Sequence, residues 1–307
     1  VVAVGLRLFA APDGLGVPLD AIEWRLRSER ILSGLAVGGS LAVAGVFLQA
    51  LLRNPLAEPA VLGLTSGAGL GVVVWIYLAY RATGAIVQYH APIAPALLGS
   101  LGALAIVGLL GQRRGLIDPI TLILVGVVVS LISGAGILFV QYLMPDRGVA
   151  MASRWVMGAL SDDIGLGWIA AVAGLAVAST AIGVWLGPSL DAASMSEDEA
   201  RSVGVRLGAL RTTLFLLAGA LSAGSVLLAG PIGFVGLVCP HLGRLLGGPS
   251  HRLLVVNSCI LGGAVIVLAD AGVRLIDLGA GRMPLGVLTA LIGGPVFIAM
   301  LRREMLR

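Results

Sequence analysis

The sequence contains no lysine; all 20 of its permanently basic residues are arginine. A phosphate-binding loop of the Walker A type needs its lysine on the phosphates, so this chain cannot carry one. Any ATP that drives it is bound by another subunit. Charge of either sign is scarce. Only 12% of the 307 residues are charged, against about 25% in soluble domains, which excludes a soluble globular fold. Cysteine is limited to Cys239 and Cys259, with no pairing pattern that indicates a disulfide framework. The formal net charge of +4 is too small and too scattered for a nucleic-acid footprint.

What the chain does have is apolar length. It is 58% hydrophobic, with a mean hydropathy of +1.03. Uninterrupted apolar runs of about twenty residues recur from end to end, the length a helix needs to cross a bilayer. The alternating strands of an outer-membrane barrel, about ten residues each, are a different pattern. The even spacing predicts one polytopic all-α membrane domain over 1–307. Candidate spans are 31–52, 60–80, 91–111, 119–144, 164–187, 208–229, 231–247, 253–276 and 284–301, the seventh short and broken by glycine and proline. The opening "VVAVGLRLFAAPDG" reads as the tail of an apolar helix whose beginning is absent, not as a signal peptide. That brings the expected total to about ten spans.

Arginines between spans set the orientation. Eleven fall in or beside 53–59, 112–118, 188–207, 248–252 and 302–307, Arg114 and Arg307 among them; nine, including Arg7, Arg25, Arg27, Arg30, Arg274 and Arg282, fall on the other side. This small bias assigns the first side and the C-terminus to the cytoplasm. A faint repeat at an offset of 180 aligns Gly39, Leu41, Val46 and Leu48 with Gly219, Leu221, Val226 and Leu228. The two copies would run in opposite directions, as in many transporters, although alanine, glycine and leucine are abundant enough to supply much of the match by chance. Glycine-rich faces such as "GLTSGAGLG" (63–71) let helices approach closely.

The longest polar stretch of the second half is "SMSEDEARSVGVRLG" (194–208). Ser196 with Glu199 three residues on is a capping box. Glu197, Asp198 and Glu199 fill a first helical turn, where the dipole favours acids. Arg201 falls near the end, and Gly204 fits the left-handed position after it. The pattern predicts a helix of about two turns, a turn, and a second short helix before Arg211. It reads either as a solvated loop or as a rigid element on which a soluble partner docks. Asp270 is the acid deepest in a span, a functional candidate by position, with Arg274 one helical turn away as an equally good structural partner. "CPH" (239–241) with His251 and Cys259 has no zinc spacing, and packing is the simpler reading.

Three longer stretches carry a resemblance. "RNPLAEPAVLGLTSGAGLG" (53–71), "GPIGFVGLVCPHLGRLLGGPSHR" (230–252) and "MPLGVLTALIGGPVFIAMLRR" (283–303) closely resemble, in order, the permease subunits of type II ABC importers, the FecCD or B12-permease family. The resemblance implies a ten-helix importer permease fold whose first helix is largely missing here. It implies a second permease copy (a homodimer), two ATPase subunits that bind ATP and magnesium, and a periplasmic or lipid-anchored substrate-binding protein. The location implied is a bacterial or archaeal cytoplasmic (inner) membrane, multi-pass.

The chain itself would be a transport subunit, not an enzyme, with no cofactor or metal of its own. Glu197, Ala200, Arg201 and Gly204 fall on the family's ATPase-coupling helices, about 194–208. Arg27, Arg30 and Arg274 fall where the family presents outer arginines to acids of the binding protein, although "RSER" stands where the family often has "LPR". The fifth and tenth spans would line the path at the dimer axis, with Asp118 and Pro119 at the cytoplasmic gate and Pro145 at the outer one. The cargo implied is a siderophore, haem or vitamin B12, an iron chelate being the family's commonest. The alternative is an ion-coupled secondary transporter, which the inverted repeat suits but the scarcity of intramembrane acids does not. An intramembrane enzyme lacks any nucleophile–base pairing or H-E-x-x-H motif.

Overall fold

The computed structural model describes residues 2–11, 14–18, 20–85, 92–113, 115–275 and 283–305; Arg114, Arg282 and Arg307 of the orientation count lie outside the described residues. Among the described residues, twelve α-helices run in the order α1 (Val2–Phe9), α2 (Ala21–Leu52), α3 (Leu64–Thr83), α4 (Ile93–Leu110), α5 (Pro119–Tyr142), α6 (Asp146–Val156), α7 (Leu166–Met195), α8 (Glu197–Ser202), α9 (Leu207–Ala229), α10 (Val235–Gly247), α11 (His251–Leu275) and α12 (Leu285–Met305). Two antiparallel hairpins of two-residue strands, β1–β2 (Ala10–Ala11 with Gly14–Leu15) and β3–β4 (Gln112–Arg113 with Leu116–Ile117), tighten connections. Six of the described helices, α2, α4, α5, α7, α9 and α11, are long and apolar enough to cross a membrane. Helices α3, α10 and α12 and the short α1 complete the ten-helix arrangement, with α6 and α8 lying outside it.

Helix α2 is the axis of the bundle. From Ile31 to Leu52 it is buried on nearly every side, and α7, α9, α10 and α11 all pack against it. Such contact requires small residues. A Cβ on Gly38 would lie 2.0 Å from the carbonyl oxygen of Gly262 on α11, and one on Gly45 would lie 1.9 Å from that of Gly236 on α10. Backbone stands on both sides of these contacts, so Gly38→Ala must separate α2 from α11. A cost of about 1–3 kcal/mol is expected, the range for overpacking. Thermal melting in detergent checks it, with Gly174→Ala as the control, since a Cβ there meets nothing within 4 Å.

The structure corrects the expected start of the second span. Helix α2 begins at Ala21, ten residues before 31, so Arg25, Arg27 and Arg30 are helical and do not form a loop. Asp20 caps the helix by accepting from the Glu23 amide at 2.7 Å. Glu23–Arg27 and Arg25–Glu29 then pair one turn apart, which lets a charged segment join an apolar helix. The second short helix expected before Arg211 is also absent: the chain passes from α8 through a turn directly into α9.

Candidate functional site

Helix α8 is built as its sequence specifies. The Ser196 Oγ accepts from the Glu199 amide at 3.0 Å and donates to the Glu199 carboxylate at 3.0 Å. Gly204 ends the turn in the left-handed region at φ 83, its amide bonded to the Arg201 carbonyl at 3.0 Å, while the Val205 amide reaches the Ala200 carbonyl at 2.9 Å.

The four expected coupling residues divide into two pairs. Glu197 and Ala200 face the bundle. Ala200 is fully buried, and Glu197 is ringed by arginines: Arg211 of α9 donates to it, Arg201 lies at 3.4 Å and Arg53, at the end of α2, at 3.7 Å. The hydrogen bond from Arg211, then the surrounding positive charge, holds the Glu197 carboxyl below the usual carboxylate range. Arg53 also donates to the Ala193 carbonyl at 2.9 Å. Because the end of α2 and the start of α9 both reach Glu197, these two helices run in opposite directions. Arg201 and Gly204 face outward with Asp198 and Val203. The result is a small rigid knob, fixed from below and open above. Beside it a cavity of about 290 Å³ is lined by Gln49, Arg53, Asn54, Ser194, Arg244 and His251. The His251 ring lies 2.6 Å from Asp191, and Cys239 is buried in α10.

At the same end, Asp118 is the N-cap of α5. It accepts from the Thr121 amide at 2.9 Å and hydroxyl at 2.6 Å; the hydroxyl first, then the amide, holds its carboxyl below the usual range. Pro119 occupies the first helical turn, where its missing N–H costs nothing. Asp118→Ala is expected to cost about 1 kcal/mol and Asp118→Asn much less, as read by thermal melting. Pro145 caps the amphipathic helix α6 at the other end of α5.

The opposite end of the bundle holds an ion cluster. Asp270 does not pair with Arg274, as its spacing suggested. It takes Arg7 from α1 on one oxygen and Arg30 from α2 on both, at 2.8 to 3.0 Å for Arg30. Arg30 also reaches Asp162, on the connection before α7, and Arg274 approaches that carboxylate at 3.9 Å. Arg27 donates to the Leu8 carbonyl, to the Gly16 carbonyl at 2.8 Å and to Glu23. Arg27 and Arg30, expected as outward docking groups, are therefore buried, at 4% and 8% exposure, and occupied inside the protein. Asp162 is the accessible member, its side chain 46% exposed. Next to it a cavity of about 650 Å³ opens between α3, α6 and the end of α9, with Trp75, Trp155, Arg147 and Arg154 in its lining. Arg7 and Asp162 were not among the sequence candidates. An arginine in an apolar run and the acid pair at 162–163 were the available signals.

The profile of the FecCD transport family matches residues 10–303. The vitamin B12 import system permease protein BtuC of Vibrio cholerae is 37% identical over 288 residues, covering 92% of this chain and 83% of that protein. Its counterpart in Yersinia enterocolitica is 38% identical over 283 residues, covering 91% and 81%. A solved structure described as an inward-facing metal-chelate type ABC transporter superposes with a TM-score of 0.83 at 30% identity, over 98% of this chain and 95% of that one. PsaBC from Streptococcus pneumoniae, at 14% identity and a TM-score of 0.56, shares the fold.

Proposed function

Because this chain belongs to the FecCD transport family, we propose that it is the permease subunit of an ATP-driven importer that brings a metal chelate or vitamin B12 into the cytoplasm. The observation that carries this reading is the knob. An apolar chain without lysine carries here a compact, capped, polar helix, braced from beneath by Arg53 and Arg211 through Glu197. A solvated loop has no need of that bracing, whereas a lever pushed by a soluble partner does. We assign Arg201, Val203 and Gly204 to the surface that two ATPase subunits, loaded with ATP and magnesium, engage on the cytoplasmic side.

Two copies of the chain would form the path. Helices α5 and α12 leave large apolar side chains uncovered, Leu131 and Phe139 on one, Leu291 and Ile298 on the other, and a second copy would cover part of them. Asp118 and Pro119 then stand at the cytoplasmic end of α5, and Pro145 at its outer end. A binding protein would deliver cargo to the opposite end from the knob. Docking on Arg30 and Arg274 requires an incoming carboxylate to take the place of Asp162. Arg27 is assigned instead to the α1–α2 turn that it holds.

Cobalamin is the first cargo to test, since two relatives are named for it; ferric siderophore and haem are the others. Liposomes containing the permease and its genomic-neighbour ATPase, with binding protein outside, should accumulate one of the three labelled cargoes, with the other two failing to compete. Accumulation of none, in complexes that hydrolyse ATP, would remove this cargo class.

A further inference from the structure

Glu58 stands in the connection between α2 and α3, outside every role assigned so far. Its carboxylate accepts a hydrogen bond from the backbone amide of Phe234 at 3.1 Å. Phe234 is the residue from which α10 starts, and α10 has 13 residues, a length of about 20 Å, short of the roughly 30 Å hydrocarbon core. The start of α10 lies inside the bundle, Gly236 against Gly45 of α2, where an unsatisfied N–H is costly. Phe234 makes no side-chain cap, so Glu58 supplies an acceptor from another part of the chain, at the start of the helix. Phe234 is also one of two non-glycine residues described with positive φ, at 68°, an outlier for a bulky side chain. Its side chain packs on α12: a Cβ on Gly293 would lie 2.6 Å from the Phe234 Cβ, and one on Gly294 3.7 Å from its ring.

The contacts join end to end. Glu197 of the knob meets Arg53 at 3.7 Å; Arg53 opens the 53–63 connection, which carries Glu58; Glu58 holds Phe234; and Phe234 bears on Gly293 and Gly294. We propose that Glu58 is the joint through which displacement of the 53–63 connection, driven from the knob, reaches α12. The proposal rests on the importer reading and adds to it a positioning residue.

The permease–ATPase complex in lipid discs, with Cys239 and Cys259 replaced by serine, is given an environment-sensitive fluorophore at Leu56→Cys or at Ile298→Cys, both exposed on the single chain, the second on the face offered to the other copy. In the wild type, ATP with vanadate should shift both signals. In Glu58→Ala the Leu56 signal should still shift and the Ile298 signal should not, with ATP hydrolysis persisting and uptake down about tenfold or more, the scale of leaving one buried amide without its acceptor. Glu58→Gln keeps an acceptor for the Phe234 amide and should restore the Ile298 shift. Phe234→Gly keeps the hydrogen bond, accepts the left-handed backbone and removes the ring, so it should lose the Ile298 shift by itself, whether or not Glu58→Ala folds. An Ile298 shift of wild-type size in Phe234→Gly, or in a folded Glu58→Ala, overturns the proposal. If neither label responds in a wild-type complex that binds ATP, the importer reading fails and the joint fails with it.

Discussion

Asp270→Asn is expected to lower the stability of the protein by about 3–5 kcal/mol, the range for removing one partner of a buried ion pair. Asp270 faces Arg7 and Arg30, and all three side chains are nearly inaccessible to solvent. The substitution leaves Arg7 with a neutral acceptor alone, and Arg30 with that acceptor and the half-exposed Asp162, at the junction of α1, α2 and α11. Removing Arg30 as well should recover part of the loss, because a single arginine then remains against the asparagine. The check is thermal melting of Asp270→Asn, of Arg30→Met and of the double variant. Independent effects that simply add would mean that the cluster does not act as a unit. The partly exposed Asp162 is different: solvent screens it, and Asp162→Asn is expected to cost less than 1 kcal/mol.

The second large effect is expected at the knob. Ala200→Glu places a charge where the side chain has no solvent access, directly under α8, and Gly204→Val forces a β-branched residue into the left-handed region. Both should displace the outward face of the helix, Ala200→Glu by forcing it off the bundle that it faces, Gly204→Val without touching the bundle, since a Cβ there meets nothing within 4 Å. ATPase binding should weaken by about thirtyfold or more, near 2 kcal/mol, the scale of a hot-spot residue, while in Gly204→Val the melting temperature of the permease alone changes little. Acid should act on the same joint through Glu197. Its carboxyl is held below the ordinary range by Arg211, so the contribution of that contact is complete above the ordinary glutamate pKa of about 4.3 and fades as pH falls through the lowered value. Between pH 7 and 5 binding should be steady on this account. The Glu197→Gln variant should lose the acid-sensitive step below that window.

Local features were legible in the sequence and distant ones were not. The knob could be read residue by residue, since Ser196, Glu199 and Gly204 act within one or two turns of each other. The spans were legible because apolar length alone distinguishes them. The start of α2 was missed because its charges read as a loop, although Glu23–Arg27 and Arg25–Glu29 carry the one-turn spacing of a charged helix. Helix α6 was missed for the same reason; it opens with Asp146 and Arg147 and is amphipathic. The partners of Asp270 lie 240 and 263 residues away, and no local rule finds them; Arg274, one turn off, was the nearest charge and is turned instead toward Asp162. Glu58 was passed over because "PLAEP" carried the family likeness, while its partner is a backbone amide that no side-chain pattern announces.

The most direct test of the account is cargo accumulation by the permease–ATPase complex in liposomes whose proton and sodium gradients have been collapsed by ionophores. With ATP inside and binding protein outside, accumulation is expected to continue at its full rate, and to stop in Gly204→Val. Accumulation that needs no ATP and follows an imposed ion gradient would contradict the account, and would make this chain an ion-coupled transporter in the fold of an importer permease.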